Sequence, residues 1–549
     1  MTLSFILWDI CLMAFIRIEK KKSGDYIRIV RTVRKDGKHT HQTLYSLGKV
    51  QDYTPAQLSR IADKLKQAAG EELPDLIRIQ DQQLEELGRY NYGFYLVYYR
   101  VFNHYGLPKL LDKIALKRKL SYSLPNAVLL MLIERLHDPV SKRGNFFNQQ
   151  DYLGLEEVKL QHLYRSLDYL ADNNKYLQQH IFQRHRNLFN QAIDVVFYDV
   201  TTFYFESEWE EEGSLRQKGF SKDGKIGSTQ VVFGLLIDKD KNPIGYQLYK
   251  GDTYEGHTFI EQVERLKQEY QIDKLVLVAD RGMLSQASRA VVSENGYEFI
   301  LGERLKSLPG QVKEKMLDLS GYELEWVSSA EVPVVVRYRV FKEGNRSIIV
   351  TYSQKRAEKD RKDREERIAK AEQLIKHPSQ LKNKARRFYL KKDGKDHYEL
   401  DTEKIKNAAK YDGFLAITTN SPDLDAASVL DHYHHLFQIE HSFRTFKSYL
   451  ETRPMFHWTD KRIEGHICLC YLAYVMLNHL LQRVKKYGIS ENQIRKTLSK
   501  MQVSHIKQLD EQFYLRSKHS DNEKTILNAL GINPLTNLIP QHKMSEYLS

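Results

Sequence analysis

The sequence predicts an α/β protein built on a mixed sheet, and two observations carry that prediction. Three strand-like runs follow one another at 193–205 (IDVVFYDVTTFYF), 227–238 (GSTQVVFGLLID) and 242–251 (NPIGYQLYKG), joined by turn-rich segments that suit antiparallel pairing. Helix and strand then alternate: HTFIEQVERLKQEY reads as a helix, KLVLVAD as a buried strand, LSQASRAVVSEN as a helix and YEFILGE as a strand. The order β-β-β-α-β-α-β is that of the ribonuclease-H-like fold, a mixed sheet with helices on both faces.

The flanking regions follow in chain order. Residues 1–50 hold a small β-meander, because FIRIEKK, YIRIVRTVR and THQTLYSLG alternate apolar and polar side chains between the turn signals SGD and KDGK. Its basic face suits DNA or an ordinary solvated sheet surface. Residues 1–12 are open to reading as a start-site artefact, with Met13 as the true start.

From 51 to 190 the period becomes helical: Thr54 is an N-cap candidate before Pro55, and further helices are expected over 91–116, 125–137 and 161–189. The aromatic run RYNYGFYLVYYRVF can anchor a bundle core, and the region reads as helical and DNA-binding. The catalytic core would begin at 191–302 and resume at 411–485, where DGFLAITTN returns to core strand character and a helix runs from Leu424 to about Leu450. Between them, 303–410 reads as a separate β-rich insertion with one charged, solvated helix. A helical, basic tail covers 486–549.

Composition narrows the function. The chain has 549 residues, 41% hydrophobic and 11% aromatic, enough to bury a large core, and a prior of about 150 residues per domain suggests three or four units. A formal charge of +13 suits a polyanionic partner, although a merely soluble basic protein carries the same charge. Three cysteines, Cys11, Cys468 and Cys470, are too few for a disulfide framework and lack zinc spacing, which fits a reducing compartment such as the cytoplasm. No membrane span is expected: Asp9 interrupts the apolar stretch at 3–16, and ICLCYLAYVMLNHLL falls short of about 20 residues.

The chemistry lies in three carboxylates. Asp199 sits inside an apolar strand, where an ionised group is costly unless paired or bound to a cation. Asp280 closes LVLVAD, at the kind of strand end where α/β sheets bind ligands; alone, it would equally suit a turn. On the helix HYHHLFQIEHSFRTFKSYL, Glu440 shares a stripe with Tyr433, Phe437, Arg444 and Lys447, beside the apolar stripe of Leu436, Ile439, Phe443, Phe446 and Leu450. A plain surface helix would pair Glu440 with Arg444. As a site, the three acids suit two hard divalent cations held against a phosphate, one activating the attacking oxygen and the other stabilising the leaving oxygen. No Walker loop, Ser/His/Asp arrangement or zinc pattern competes.

YDVTT around Asp199, VADRGM around Asp280, and Tyr433, Glu440 and Lys447 in Y-x6-E-x6-K resemble the DDE transposases of bacterial insertion sequences, in the group with the Y-x2-R-x3-E-x6-K signature. GFSKDGKIGSTQVVFGLLID and GDTYEG resemble core strands of that family, and the meander resembles the N-terminal region of one branch. Leu436 stands where the signature has Arg, and Arg444, one turn beyond Glu440, is the candidate to supply that charge.

The resemblance implies a catalytic core with Asp199, Asp280 and Glu440 as metal ligands and two Mg2+ (or Mn2+) ions. It implies cut-and-paste cleavage at terminal inverted repeats, strand transfer to target DNA, and a homodimer in the synaptic complex. Tyr433, Arg444 and Lys447 would then contact DNA, and Trp326 is the candidate to stack a flipped base. A ribonuclease-H-like nuclease without strand transfer, or a DNA-binding protein that has lost catalysis, are the alternatives.

Overall fold

The computed structural model describes residues 14–548 except 36–37, 69–83, 190–194, 220–227, 271, 273–274, 281–285, 329–332, 377–387, 394–396 and 509–510. Residues 1–12 with Met13, the segment GFSKDGKIG apart from Gly219 before it, and the RGM of VADRGM lie outside the described residues. The chain divides into two units, 1–84 and 85–549.

The first unit is an antiparallel meander of β1 (Ala14–Lys21), β2 (Gly24–Lys35) and β3 (Lys38–Lys49), followed by helix α1 (Pro55–Ala68). Thr54 caps α1 as its position predicts: its hydroxyl accepts the Gln57 amide at 3.3 Å and its own amide donates to Gln57 Oε1 at 2.8 Å. Among the described residues of the sheet, Ile27 and Val30 alone are buried, and most of the others are partly or fully exposed.

The second unit opens with β4 (Leu84–Asn91) and six helices: α2 (Gly93–His104), α3 (Leu107–Lys117), α4 (Leu124–His137), α5 (Lys142–Asn148), α6 (Leu160–Asp172) and α7 (Asn174–Phe189). The helices expected over 91–116 and 161–189 are therefore each two. Gly106 breaks the first, taking a left-handed φ of 68° that lets Pro108 start α3 afresh. Asn173, outside helical geometry at φ −115° and ψ 13°, breaks the second.

The core sheet has the expected strand order. It comprises β5 (Val195–Tyr204), the short β6 (Gln217–Lys218), β7 (Thr229–Asp238), β8 (Pro243–Lys250), β9 (Val276–Ala279) and β10 (Glu298–Glu303), with α8 (Glu255–Gln268) and α9 (Gln286–Glu294) as crossovers. β7 lies antiparallel to β5 and to β8, whereas β9 and β10 run parallel to β5. The spatial sequence β8-β7-β5-β9-β10 is the ribonuclease-H-like arrangement.

The segment 303–410 is not the separate module its composition suggests. After α10 (Gly310–Met316), β11 (Leu324–Val327), β12 (Val335–Glu343) and β13 (Arg346–Tyr352) join the core sheet through β16 (Phe414–Thr419), which pairs with β13 on one side and β10 on the other. One ten-stranded sheet results. Among the described residues, α11 (Gln354–Lys376), the hairpin β14 (Leu390–Asp393) and β15 (His397–Leu400), and α12 (Thr402–Ala409) lie beyond it.

The helix expected from Leu424 to Leu450 is also broken. It consists of α13 (Ala426–His434), a turn at His435 and Leu436, α14 (Phe437–Arg444), and a π-helical turn at Thr445–Tyr449. Next comes α15 (Asp460–Val484), the central helix. It is long and apolar enough to cross a membrane, yet 83% of its apolar window is buried inside the fold, as a core helix requires.

The tail is only partly helical. α16 (Glu491–Ser499), α17 (Asp521–Leu530) and α18 (Met544–Leu548) alternate with β17 (Gln502–Gln508), β18 (Glu511–Arg516) and β19 (Leu538–Pro540), and these strands form a sheet with β4.

Strand alternation divides the core between the two sheet faces. Val195, Phe197 and Phe203 of β5 pack with Val278, Ile300 and Ile417 toward the helical side, in one cluster with α15 and α14. Val196, Tyr198 and Val200 pack with Leu277 and Ala279 toward α8 and α9.

Candidate active site

Asp199 is partly exposed in the middle of β5, between the buried Tyr198 and Val200. By the period of two it follows Val195 and Phe197 onto the helical face, and Asp280 follows Val276 and Val278 onto that same face. The parallel register sets Tyr198 opposite Ala279, so the two carboxylates leave neighbouring strands at the next matched position. Adjacent strands are about 4.8 Å apart. Two acids with no sequence proximity thus become neighbours through the hydrogen-bond ladder alone.

Glu440 completes the set from the helical layer. α14 packs against β5, and Ile439 and Phe443 bury its inner side while Glu440 stays exposed in the first turn. A carboxylate near a helix N-terminus is favoured by the backbone dipole. A cavity of about 280 Å³ is lined by all three acids together with Leu415, Tyr433, His434, Leu436 and Phe437. The phenol of Tyr433 donates to Asp280 Oδ1 at 3.2 Å, and the Val200 amide donates to Asp199 Oδ1 at 2.7 Å.

The donor set is all oxygen among the acids, with no thiol, and so fits hard divalent cations. Among the described residues no three metal-ligating side chains converge on a single point.

The other expected site residues are distributed differently. Leu436 does line the acid cavity, whereas Arg444 does not: it lines a second cavity of about 490 Å³ with Lys239, Lys241, His441 and Lys485. Arg444 thus lies outside the lining of the acid cavity although it shares the unbroken helix α14 with Glu440, and the break at His435 and Leu436 separates Tyr433 from the stripe that those two residues share. Nor does Arg444 form an ion pair with Glu440 among the described residues, which removes the surface-pair reading of that acid. Lys447 sits half-buried in the π turn, outside the cavity lining.

Trp326, on β11, is 9% exposed and packs edge-on against His434 at 5.6 Å. It supports the wall of the site rather than opening its ring to it. His434 itself is a lining residue that the sequence offered only as one of several histidines. Burial, and secondarily His435, holds its imidazole below the usual range, so it is a neutral wall.

Two matches place the chain. Residues 191–476 match the family described as Transposase DDE domain, and residues 16–77 match the IS1634 family transposase N-terminal domain. The chain belongs to the DDE transposases. The matched region runs from just before β5 through most of α15, so it takes in all three acids. This insertion-sequence transposase is an enzyme that cuts and rejoins DNA, and its family uses divalent metal ions.

No curated protein matches the sequence. Among solved structures, the piggyBac transposase synaptic complex with hairpin DNA is 8% identical, covering 74% of this chain and 78% of that chain at a TM-score of 0.36. The Mos1 transposase paired-end complex with left transposon end is 14% identical, covering 45% and 73% at a TM-score of 0.15. Overlays this loose carry no weight beside the strand order and the family match.

Proposed function

We propose that this transposase moves its element by a cut-and-paste route, hydrolysing phosphodiesters at terminal inverted repeats and transferring the freed 3′ ends to target DNA. Asp199, Asp280 and Glu440 hold two Mg2+ or Mn2+ ions in this reading. The observation that carries it is the convergence of two matched-register strand acids and one helix acid on a single cavity. When bound, the ions supply an activated oxygen nucleophile and a stabilised leaving oxygen.

The chain's own residues do the rest. The two strand acids fix the spacing of the ligand oxygens, and Glu440 closes the set from α14. Tyr433 orients the Asp280 carboxylate through its hydroxyl. Phe437, Leu436 and Leu415 form apolar walls that limit water around the scissile phosphate. Tyr433 and Lys447 contact the DNA backbone beside the cut.

The wider organisation belongs to the same proposal. Residues 51–190 contribute to holding the element end, 191–302 and 411–485 form the catalytic core, and two copies act on two ends in the bacterial cytoplasm. Asp199→Asn, Asp280→Asn and Glu440→Gln should each remove cleavage and joining of a labelled element end by at least a thousandfold while circular dichroism and gel shift stay unchanged. Normal cleavage by any one of them sinks the assignment. Cut ends with no joined product would select a nuclease instead, and a gel shift without cutting in the unaltered enzyme would select a DNA-binding protein without catalysis.

A further inference from the structure

A larger cavity of about 630 Å³ lies apart from the acids, between α4, the start of α5, and residues 451–459. Its polar part is basic and deeply buried: Lys142 is 3% exposed, His466 5% and Arg135 7%. Neither Arg135 nor Lys142 forms an ion pair among the described residues. Arg135 Nη1 donates to the Leu450 carbonyl at 3.1 Å and Lys142 Nζ to Asn145 Oδ1 at 2.7 Å. Arg135 Nε and His466 Nδ1 are buried with no hydrogen-bond partner. Orphaned polar atoms of this kind cost free energy that a ligand would recover.

The charge around the cavity is not balanced from within it. Glu451 is the one acid in its lining; Glu134 lies behind Lys142, bound to Asn145 and Asn148, and Arg462 is already engaged with Asp168. Burial, with Arg135 alongside, pulls the Lys142 ammonium down to about 7. The same causes push His466 well below its usual range. An anion in the cavity would reverse both shifts.

The mouth has the opposite character. Phe456 is 71% exposed and Trp458 59%, although large apolar rings are normally covered. Trp458 is nevertheless held in place, with the Arg216 guanidinium 5.2 Å from its ring and the Trp209 ring at 5.8 Å. A fixed, open aromatic ring beside a buried basic pocket is the pairing that single-stranded nucleic acid recognises, base on ring and phosphate on the basic groups.

We propose that this cavity is a nucleotide subsite, taking one phosphate of an unpaired DNA strand on Arg135, Lys142 and His466 with the attached base against Trp458 and Phe456. The site communicates with the catalytic strand: the Met455 amide donates to the Tyr204 carbonyl at 3.0 Å, and Tyr204 lies five residues along β5 from Asp199, roughly 17 Å. The subsite rests on the reading of the chain as a DNA-acting enzyme, but its readout needs no cleavage.

The test is binding of a labelled single-stranded oligonucleotide in EDTA, measured by anisotropy, with and without a 5′-phosphate. The double variant Phe456→Ala/Trp458→Ala, altered only at exposed rings, should weaken single-strand binding roughly tenfold or more and leave duplex binding unchanged. Lys142→Met should weaken it too, with folding checked by circular dichroism. Asp199→Asn should bind single strands as the unaltered enzyme does, so a failure of the catalytic assignment leaves this outcome readable. Preference for the 5′-phosphorylated strand identifies a DNA end, and equal binding identifies an internal phosphodiester. Unchanged single-strand affinity in both the aromatic and the Lys142 variants overturns the proposal, as does competition by inorganic phosphate that the aromatic changes leave untouched.

Discussion

At the scale of single residues, the acids show what a sequence can disclose. Asp199 was legible because a lone carboxylate in an apolar strand needs a reason, and Asp280 and Glu440 because each closes or interrupts a patterned element. Their adjacency was not legible, since it depends on which strands pair. The phase of Tyr433 against Glu440 was not legible for a related reason: helical phase can be propagated only through an unbroken helix, and nothing in HYHHLFQIEH announces the turn at His435 and Leu436. Tyr433→Phe removes only the hydroxyl that reaches Asp280. We expect it to raise the Mg2+ concentration needed for half-maximal cleavage by roughly 10-fold or more with the fold unaltered, read by titrating metal in the cleavage assay.

Lys142 offers a second test at this scale. Its folded-state pKa of about 7 lies below the value of about 10.4 for an unfolded lysine, so the unfolded chain binds more protons between those limits. Stability should therefore rise as pH increases from 7 toward 10. That rise should shrink in Lys142→Met, by a few kcal/mol at most, when urea unfolding is compared across this window.

At the scale of elements, Gly465 shows why α15 can lie so close to α6. A Cβ there would stand 2.1 Å from the Leu167 carbonyl oxygen, a backbone atom that cannot rotate away. Gly465→Ala should cost about 1–3 kcal/mol through overpacking, seen as a lower thermal midpoint. The strand order of β5 and β7–β10 was legible because short apolar runs, turns and intervening helices have distinct periods. The fate of β11–β13 was not: the exposed, half-polar pattern of β11 and β12 fits an independent module as well as a sheet extension, and only the pairing of β13 with β16 decides. The tail strands were missed in the same way, because QVSHIKQ and EQFYLR carry mixed polarity that suits a basic helix equally well.

At the scale of the whole molecule, the second unit contains its own complete core around α15 and the ten-stranded sheet. A chain beginning at Glu85 should unfold cooperatively near the midpoint of the full protein, and a loss of its thermal transition would contradict that expectation. The charge of +13 bears on the same scale. If six to ten phosphates are engaged, end binding should fall about 10³- to 10⁵-fold between 50 and 200 mM salt, measured by gel shift. The two faces of the sheet also divide labour: α8 and α9 cover one, while the other carries every acid of the site.

The matched register of Asp199 and Asp280 sets the order in which that site can assemble. Two of its three arms belong to a hydrogen-bonded lattice and exist as soon as the sheet does. The third rides on an eight-residue helix with a corner at one end and a π turn at the other. The placement of Glu440 therefore depends on side-chain packing, on Ile439 and Phe443 seated beneath α14, whereas that of Asp199 and Asp280 depends on strand register.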